Sequence, residues 1–342
     1  MKGRSPSLGD IAHITRVTVA TVSRALANNP RISEATRERV RKAAEELGYR
    51  PDPEARRLMA HLRSTRESRY VATIGLINDA STPDDLLRDP YTRRVIAGAR
   101  DRARELGYVL DQINLREKGM TQERIEKILQ TRAIHGVLIP PQVHLPEDVV
   151  LPEHQVALVA ATAARAHLHL HRVFPDHFDN MRCLLKQVIT LGYRRIGLIT
   201  TLDMEERQRN GSLAAFEWFI HNDPSLRRIP PLIIGRSTSS IRQWFLKYEP
   251  EALVAPDDWI LDELQNLPKR GQRPAVALFG NQREGFAGID ELPEAIGAAS
   301  IDLLTAQMLR RETGYPLHPK NVLIGGTFVP GASLPPAPGS RK

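Results

Sequence analysis

From residue 71 onward, short apolar runs alternate with longer amphipathic stretches, and this rhythm limits the fold more than any other feature of the chain. The runs fall at 71–77, 108–110, 136–139, 155–160, 195–200, 232–234, 252–255, 275–279 and 322–324. Their residues are mostly Val, Ile, Leu and Ala without polar alternation, as expected of strands buried on both faces of a parallel sheet. Helical stretches lie between them, at 92–106, 121–130, 179–191 and 207–221. Leu106-Gly107-Tyr108 and Leu191-Gly192-Tyr193 repeat one junction, in which glycine ends a helix and tyrosine leads into a strand. The expected body is α/β, two doubly wound parallel-sheet lobes in tandem.

The first seventy residues differ. They hold 15 Lys and Arg against 8 Asp and Glu, whereas the rest holds 33 against 32. Nearly all of the net charge of +8 therefore sits in a small basic head, which points to a polyanionic partner for the head alone. Three short helices are expected there, at 8–14, 18–26 and 33–47. Thr18 and Ser33 suit N-caps, Asn28-Asn29-Pro30 is a break, and Gly48 is a stop. Two helices joined by a tight turn, the second opening on small and hydroxyl residues, describe a helix-turn-helix. Val17, Val22 and Leu26 would face the head's own core. Val19, Ala20 and Arg24 would face base edges, and Thr18, Thr21 and Ser23 suit phosphate oxygens.

The runs Asp10-Ile11-Ala12, Val17-Thr18-Val19-Ala20-Thr21-Val22-Ser23-Arg24-Ala25-Leu26 and Arg31-Ile32-Ser33-Glu34-Ala35-Thr36-Arg37-Glu38-Arg39-Val40 carry a resemblance. So does the stretch from Ala43 through Leu47-Gly48-Tyr49-Arg50-Pro51-Asp52-Pro53. Over residues 8–58 the chain resembles the LacI/GalR family of transcription regulators, and more loosely so to about Val329. The resemblance implies a second helix that reads the major groove, with Arg24 bonding a base, most simply guanine. Arg31 belongs to the expected DNA-binding set. The resemblance makes Ala55-Arg56-Arg57-Leu58 a hinge helix that orders on DNA. Arg56 would lie on the backbone or groove, and Leu58 would wedge into the minor groove at a dimer dyad. One departure stands out: Thr15-Arg16 fills a turn where the family usually has glycine.

The resemblance also implies that the two lobes form a periplasmic-binding-protein-like effector sensor. Ligands in open α/β sheets bind beyond the carboxyl ends of the strands. Asp79, Asp257 and Asp290 are the acidic candidates, with Arg207 and Arg209 beside Gln208, the position three before Gly211 where the family carries arginine. Carboxylates and an arginine suit the hydroxyls of a sugar. The expected layout is a head at 1–50 and a hinge helix with linker at 51–70. A body at 71–334 follows, one lobe built from 71–174 with 290–314 and the other from 175–289 with 315–334, and 335–342 is an expected disordered tail.

Other chemistries find little support. His167, His169 and His171 would share one face of a strand, but no acidic or cysteine partner is fixed by spacing, so an exposed polar edge is preferred to a metal site. Motifs for dinucleotides, phosphate loops, metalloproteases and serine hydrolases do not occur, so neither an enzyme nor a cofactor is expected. No apolar stretch is long enough to span a membrane, no secretory h-region opens the chain, and the lone Cys183 cannot form an internal disulfide. A cytoplasmic homodimer acting on an operator in double-stranded DNA is the expectation, a repressor with a carbohydrate effector. An effector-independent or purine-responsive regulator and a soluble solute-binding protein are the alternatives.

Overall fold

The computed structural model describes residues 8–26, 32–48, 72–79, 87–141, 155–162, 169–235, 240–256, 273–280 and 283–339. The chain divides into two compact units, residues 1–68 and 69–342, each with its own apolar core.

The head has the three expected helices: α1 (Leu8–Thr15), α2 (Val19–Leu26) and α3 (Glu34–Glu46). Ile11, Ala12, Val22, Ala25, Val40, Ala43 and Ala44 are buried together, with Val17, Leu26, Ile32 and Leu47 packed against them. Local chemistry fixes the ends. Thr18 Oγ1 accepts from Thr21 N at 3.1 Å to cap α2, and Ser33 Oγ accepts from Thr36 N at 3.4 Å to cap α3. Between α1 and α2 the chain turns sharply at Arg16, whose φ is +52°, and closes with a bond from Val17 N to Ala12 O at 3.2 Å.

The body holds two six-stranded sheets. The first draws on β1 (Ala72–Asn78), β2 (Tyr108–Asn114), β3 (Gly136–Ile139), β4 (Ala157–Ala160), β5 (His171–Pro175) and β11 (Asn321–Ile324), in the order β11-β5-β4-β3-β1-β2. All its pairings are parallel. The second is β12-β10-β9-β8-β6-β7, from β6 (Ile196–Thr201), β7 (Leu232–Ile234), β8 (Ala252–Ala255), β9 (Ala275–Phe279), β10 (Ala287–Asp290) and β12 (Thr327–Val329). Only β12 there runs antiparallel, against β10. Helices α4 (Pro90–Glu105), α5 (Gln122–Thr131) and α10 (Pro293–Arg310) accompany the first sheet; α6 (His177–Thr190), α7 (Leu202–Arg207), α8 (Gly211–Asn222) and α9 (Ser240–Tyr248) accompany the second.

The chain passes between the lobes three times: after β5, between β10 and α10, and between β11 and β12. The last passage corrects the expected layout. Residues 321–324 pair with β5 in the first sheet, so that lobe continues to Ile324 instead of ending at 314. The expected disordered tail is also corrected over its described part, because Tyr193 Oη donates to Pro335 O at 2.7 Å and Ala337 N donates to Leu191 O at 2.8 Å. The expected helix 207–221 is two helices, α7 and α8, broken by left-handed residues Arg209 (φ +56°) and Asn210 (φ +58°).

Helix α10 leaves the second lobe and packs along α4 of the first. The approach is close enough that a Cβ on Gly297 would meet Val95 O at 2.0 Å, so glycine is required there. Arg94 fastens the start of this pair with bonds to Glu294 at 2.6 and 2.8 Å, and Arg102 reaches Asp302 at 2.7 Å.

Candidate DNA-binding head and inter-lobe cleft

In the head, α2 carries Val19, Ala20, Thr21, Ser23 and Arg24. On α2, Val22 and Ala25 are buried in the core of the head. Thr18 is exposed, and its hydroxyl spends its acceptor on the cap while lying 2.9 Å from Thr21 Oγ1. The first turn of α2 is thus held together before any partner arrives. Arg31, Ala55, Arg56 and Leu58 lie outside the described residues.

In the body, the parallel strands point their carboxyl ends at the passages between the lobes, where a ligand belongs. Asn78 and Asp79 follow β1 and are both buried. Asp257 lies outside the described residues. Arg207 turns back along α7 to Asp203 at 2.5 Å, while Arg209 is exposed in the break before α8. Asp290 is committed elsewhere. Both its oxygens accept from Arg94 at 3.2 Å, and Oδ1 also accepts from Leu292 N at 3.1 Å, which fixes the second passage. The protonated form of Arg94 is favoured by these carboxylates, Glu294 foremost. Among the described expected effector residues, Arg207 and Asp290 are thus engaged with Asp203 and Arg94.

A different set gathers at the passages. His177 Nδ1 lies 3.3 Å from Glu291 Oε1, and both side chains are largely buried. Glu205 is buried; it accepts from Thr200 Oγ1 at 2.8 Å and from Leu213 N at 3.2 Å. It therefore caps α8, whose own N-cap residue Asn210 makes no side-chain bond. Burial pushes the Glu205 carboxyl above its usual range, against the opposing pull of Thr200, Leu213 N and His177. Tyr91 is partly buried, and burial, then the negative charge of Glu291, raises its hydroxyl well above the ordinary value. Gln208 is buried and accepts from Ser212 Oγ at 2.6 Å, so the position before Gly211 stiffens the break instead of presenting a charge. Arg172 on β5 is only 5% exposed. Sequence reasoning missed Tyr91, Arg172, His177, Glu205 and Glu291, since no short motif contains them. The nearest signal is the position of His177 and Glu291, just after a strand end.

His171 is buried, and its Nδ1 accepts from Lys320 N at 2.8 Å; burial lowers its pKa. It is an interior strand residue, which corrects the expected exposed histidine edge, while His169 is exposed and His167 is outside the described residues. No cluster of metal-ligating side chains occurs among the described residues. A groove of about 710 Å³ opens at the opposite, amino-terminal ends of β6, β8 and β9, walled by Tyr193, Arg195, Glu251, Arg273 and the packed tail. Its location is the wrong end of the sheet for the rule that places ligands.

A helix-turn-helix head and a separate two-lobed, doubly wound body make up the chain. Residues 7–52 match the family described as bacterial regulatory proteins, lacI family. The chain is 31% identical over 198 residues to the HTH-type transcriptional repressor CytR of Escherichia coli (strain K12), a match covering 56% of this chain and 53% of that one. The chain thus spans about half the length of this curated relative. Its fold is similar to that of the lac repressor dimer bound to operator and the anti-inducer ONPF, with a TM-score of 0.52 at 18% identity over 97% of this chain and 100% of that one. It is also similar to the transcriptional regulator CelR in complex with cellobiose, with a TM-score of 0.52 at 19% identity over 95% and 98%.

Proposed function

We propose that the protein is a sequence-specific transcriptional repressor that binds a near-palindromic operator as a homodimer in the cytoplasm. The observation that carries this reading is the head itself, with α1 and α2 joined by a tight turn over a shared core. Thr18, Val19, Ala20, Thr21, Ser23, Arg24 and Arg31 serve the major groove and its flanking phosphates. Ala55, Arg56 and Leu58 serve the minor groove at the centre. CytR supports the repressor role, and the lac repressor dimer on its operator supports the symmetric mode of binding.

A small-molecule effector, a carbohydrate, enters between the lobes and changes operator affinity. Asp79, Arg209 and Asp257 are the residues nearest that role; Arg207 and Asp290 shape the walls through Asp203 and Arg94. The cellobiose complex of CelR supports a carbohydrate. A ligand that binds the closed body better than the open one shifts DNA affinity by about 5–150-fold, the usual range of such coupling. Selection of DNA from a random duplex pool by the full chain tests the reading, repeated with Leu58→Ala. A two-fold-symmetric site that weakens at least tenfold in the variant is the expected result. Enrichment of no site, with binding only at low salt, would leave mere phosphate attraction and overturn it.

A further inference from the structure

The three passages between the lobes converge on Gly326. Asp176 N in the first passage donates to the carbonyl of Ile324, the last residue of β11, at 2.9 Å. Gly326 N in the third passage donates to Asn180 Oδ1 on α6 at 2.7 Å. Asp290, where the second passage begins, pairs with Thr327, the residue after Gly326. A Cβ on Gly326 would lie 2.6 Å from Ile289 Cγ2, 2.7 Å from Asp290 O and 3.0 Å from Asn180 Oδ1. The third passage is therefore wedged between the second passage and α6. A Cβ on Gly325 would meet nothing within 4 Å, so the chain is free to turn one residue before the wedge. Asn180 is only 4% exposed, and its Nδ2 is buried without a hydrogen-bond partner among the described residues. The start of α6 does not require it, since Asp176 caps that helix by accepting from Asp179 N at 3.0 Å. A buried amide that uses its oxygen and leaves its NH2 unpaired carries a desolvation cost that nothing offsets.

We propose that Asn180 and Gly326 form the latch of a two-position hinge. In the arrangement described here, Asn180 Oδ1 holds Gly326 N and Nδ2 goes unpaired. In the second, the third passage turns at Gly325, and Nδ2 donates to the second passage at Asp290 O, which borders the same point. Each position satisfies one half of the amide. The two positions are thus close in energy, and a small differential contact elsewhere in the body shifts the balance between them. Asn180 is a positioning residue in this scheme, and the inference depends on neither a ligand nor an operator.

Pulsed dipolar spectroscopy on the spin-labelled full chain reads the distance between the lobes. Cysteines replace the exposed Arg100 on α4 and Gln243 on α9, in a Cys183→Ser background. Wild type is expected to give two distance components, one of them matching the arrangement described here. Asn180→Asp at pH 8 keeps an acceptor for Gly326 N and loses the donor, so the matching component is expected to grow about tenfold relative to the other. Gly326→Ala sets a Cβ against Asp290 O, so the matching component is expected to fall by about as much. Opposite shifts are the signature, because a merely loosened hinge moves both variants the same way. A single component in wild type, shifts in the same direction, or a ratio unchanged in either folded variant overturns the latch. Thermal unfolding shows whether each variant folds, and if one does not, the other decides alone.

Discussion

At Arg16 the backbone takes φ +52°, a region that costs a residue with a Cβ about 1 kcal/mol. The turn between α1 and α2 needs that conformation whatever residue fills it. The neighbouring groups are committed, Thr15 Oγ1 donating to Ile11 O at 2.6 Å and Val17 N to Ala12 O. Arg16→Gly is therefore expected to raise the stability of the head by up to about 0.6 kcal/mol, the gain from relieved strain less the entropy glycine adds to the unfolded chain. Urea unfolding followed by circular dichroism measures it, and a variant less stable than wild type would refute the strain. This residue was legible in the sequence, because a non-glycine in a tight helix-helix turn is a local conflict. Asp290 was not. Its partner Arg94 lies 196 residues away, and only the packing of α10 on α4 brings them together. The same holds for Glu291 and His177, whose meeting depends on two separate passages between the lobes.

Elements were legible where a local pattern decided them. The strands β3, β7, β8 and β9 are short apolar runs that packing had no reason to move. The alternation of His167, His169 and His171 reads as an exposed polar edge, but His171 opens β5 and is buried, because β5 lies between β4 and β11. The break between α7 and α8 carries no proline, and its two left-handed residues, Arg209 and Asn210, precede the only glycine nearby. That break works because Glu205 reaches from α7 to cap α8. The carboxyl is raised by burial, so its ionised form is less favoured in the folded protein than in the unfolded chain. Its contribution to stability is fully present below the unfolded value of about 4.3 and is lost as pH rises through the higher folded value. Glu205→Gln keeps an acceptor for Leu213 N and cannot ionise. Across that window the wild type should lose stability relative to the variant as pH rises. Midpoints of thermal unfolding between pH 4 and pH 8 give the comparison, and parallel pH profiles would refute the assignment.

At the scale of the whole molecule, charge and architecture separate along the same boundary. The head concentrates the basic residues over its own small core, and the body is near neutral over cores of its own. Attraction to phosphate scales with the number of cations brought to the duplex, and each contact adds about −0.9 to the slope of log K against log salt. A near-neutral body adds little to that slope. A chain beginning at residue 69 should keep the thermal transition of the body, because residues 69–342 form a compact unit of their own. It should lose the salt-dependent part of DNA binding altogether. Fluorescence anisotropy with a labelled duplex at about 50 and 200 mM salt, against the full chain, measures this; several basic contacts imply a loss of about 10³-fold or more over that range for the full chain. Residual salt-dependent binding by the truncated chain would mean that the body carries a nucleic-acid surface of its own, and the division of labour drawn from the charge would fail.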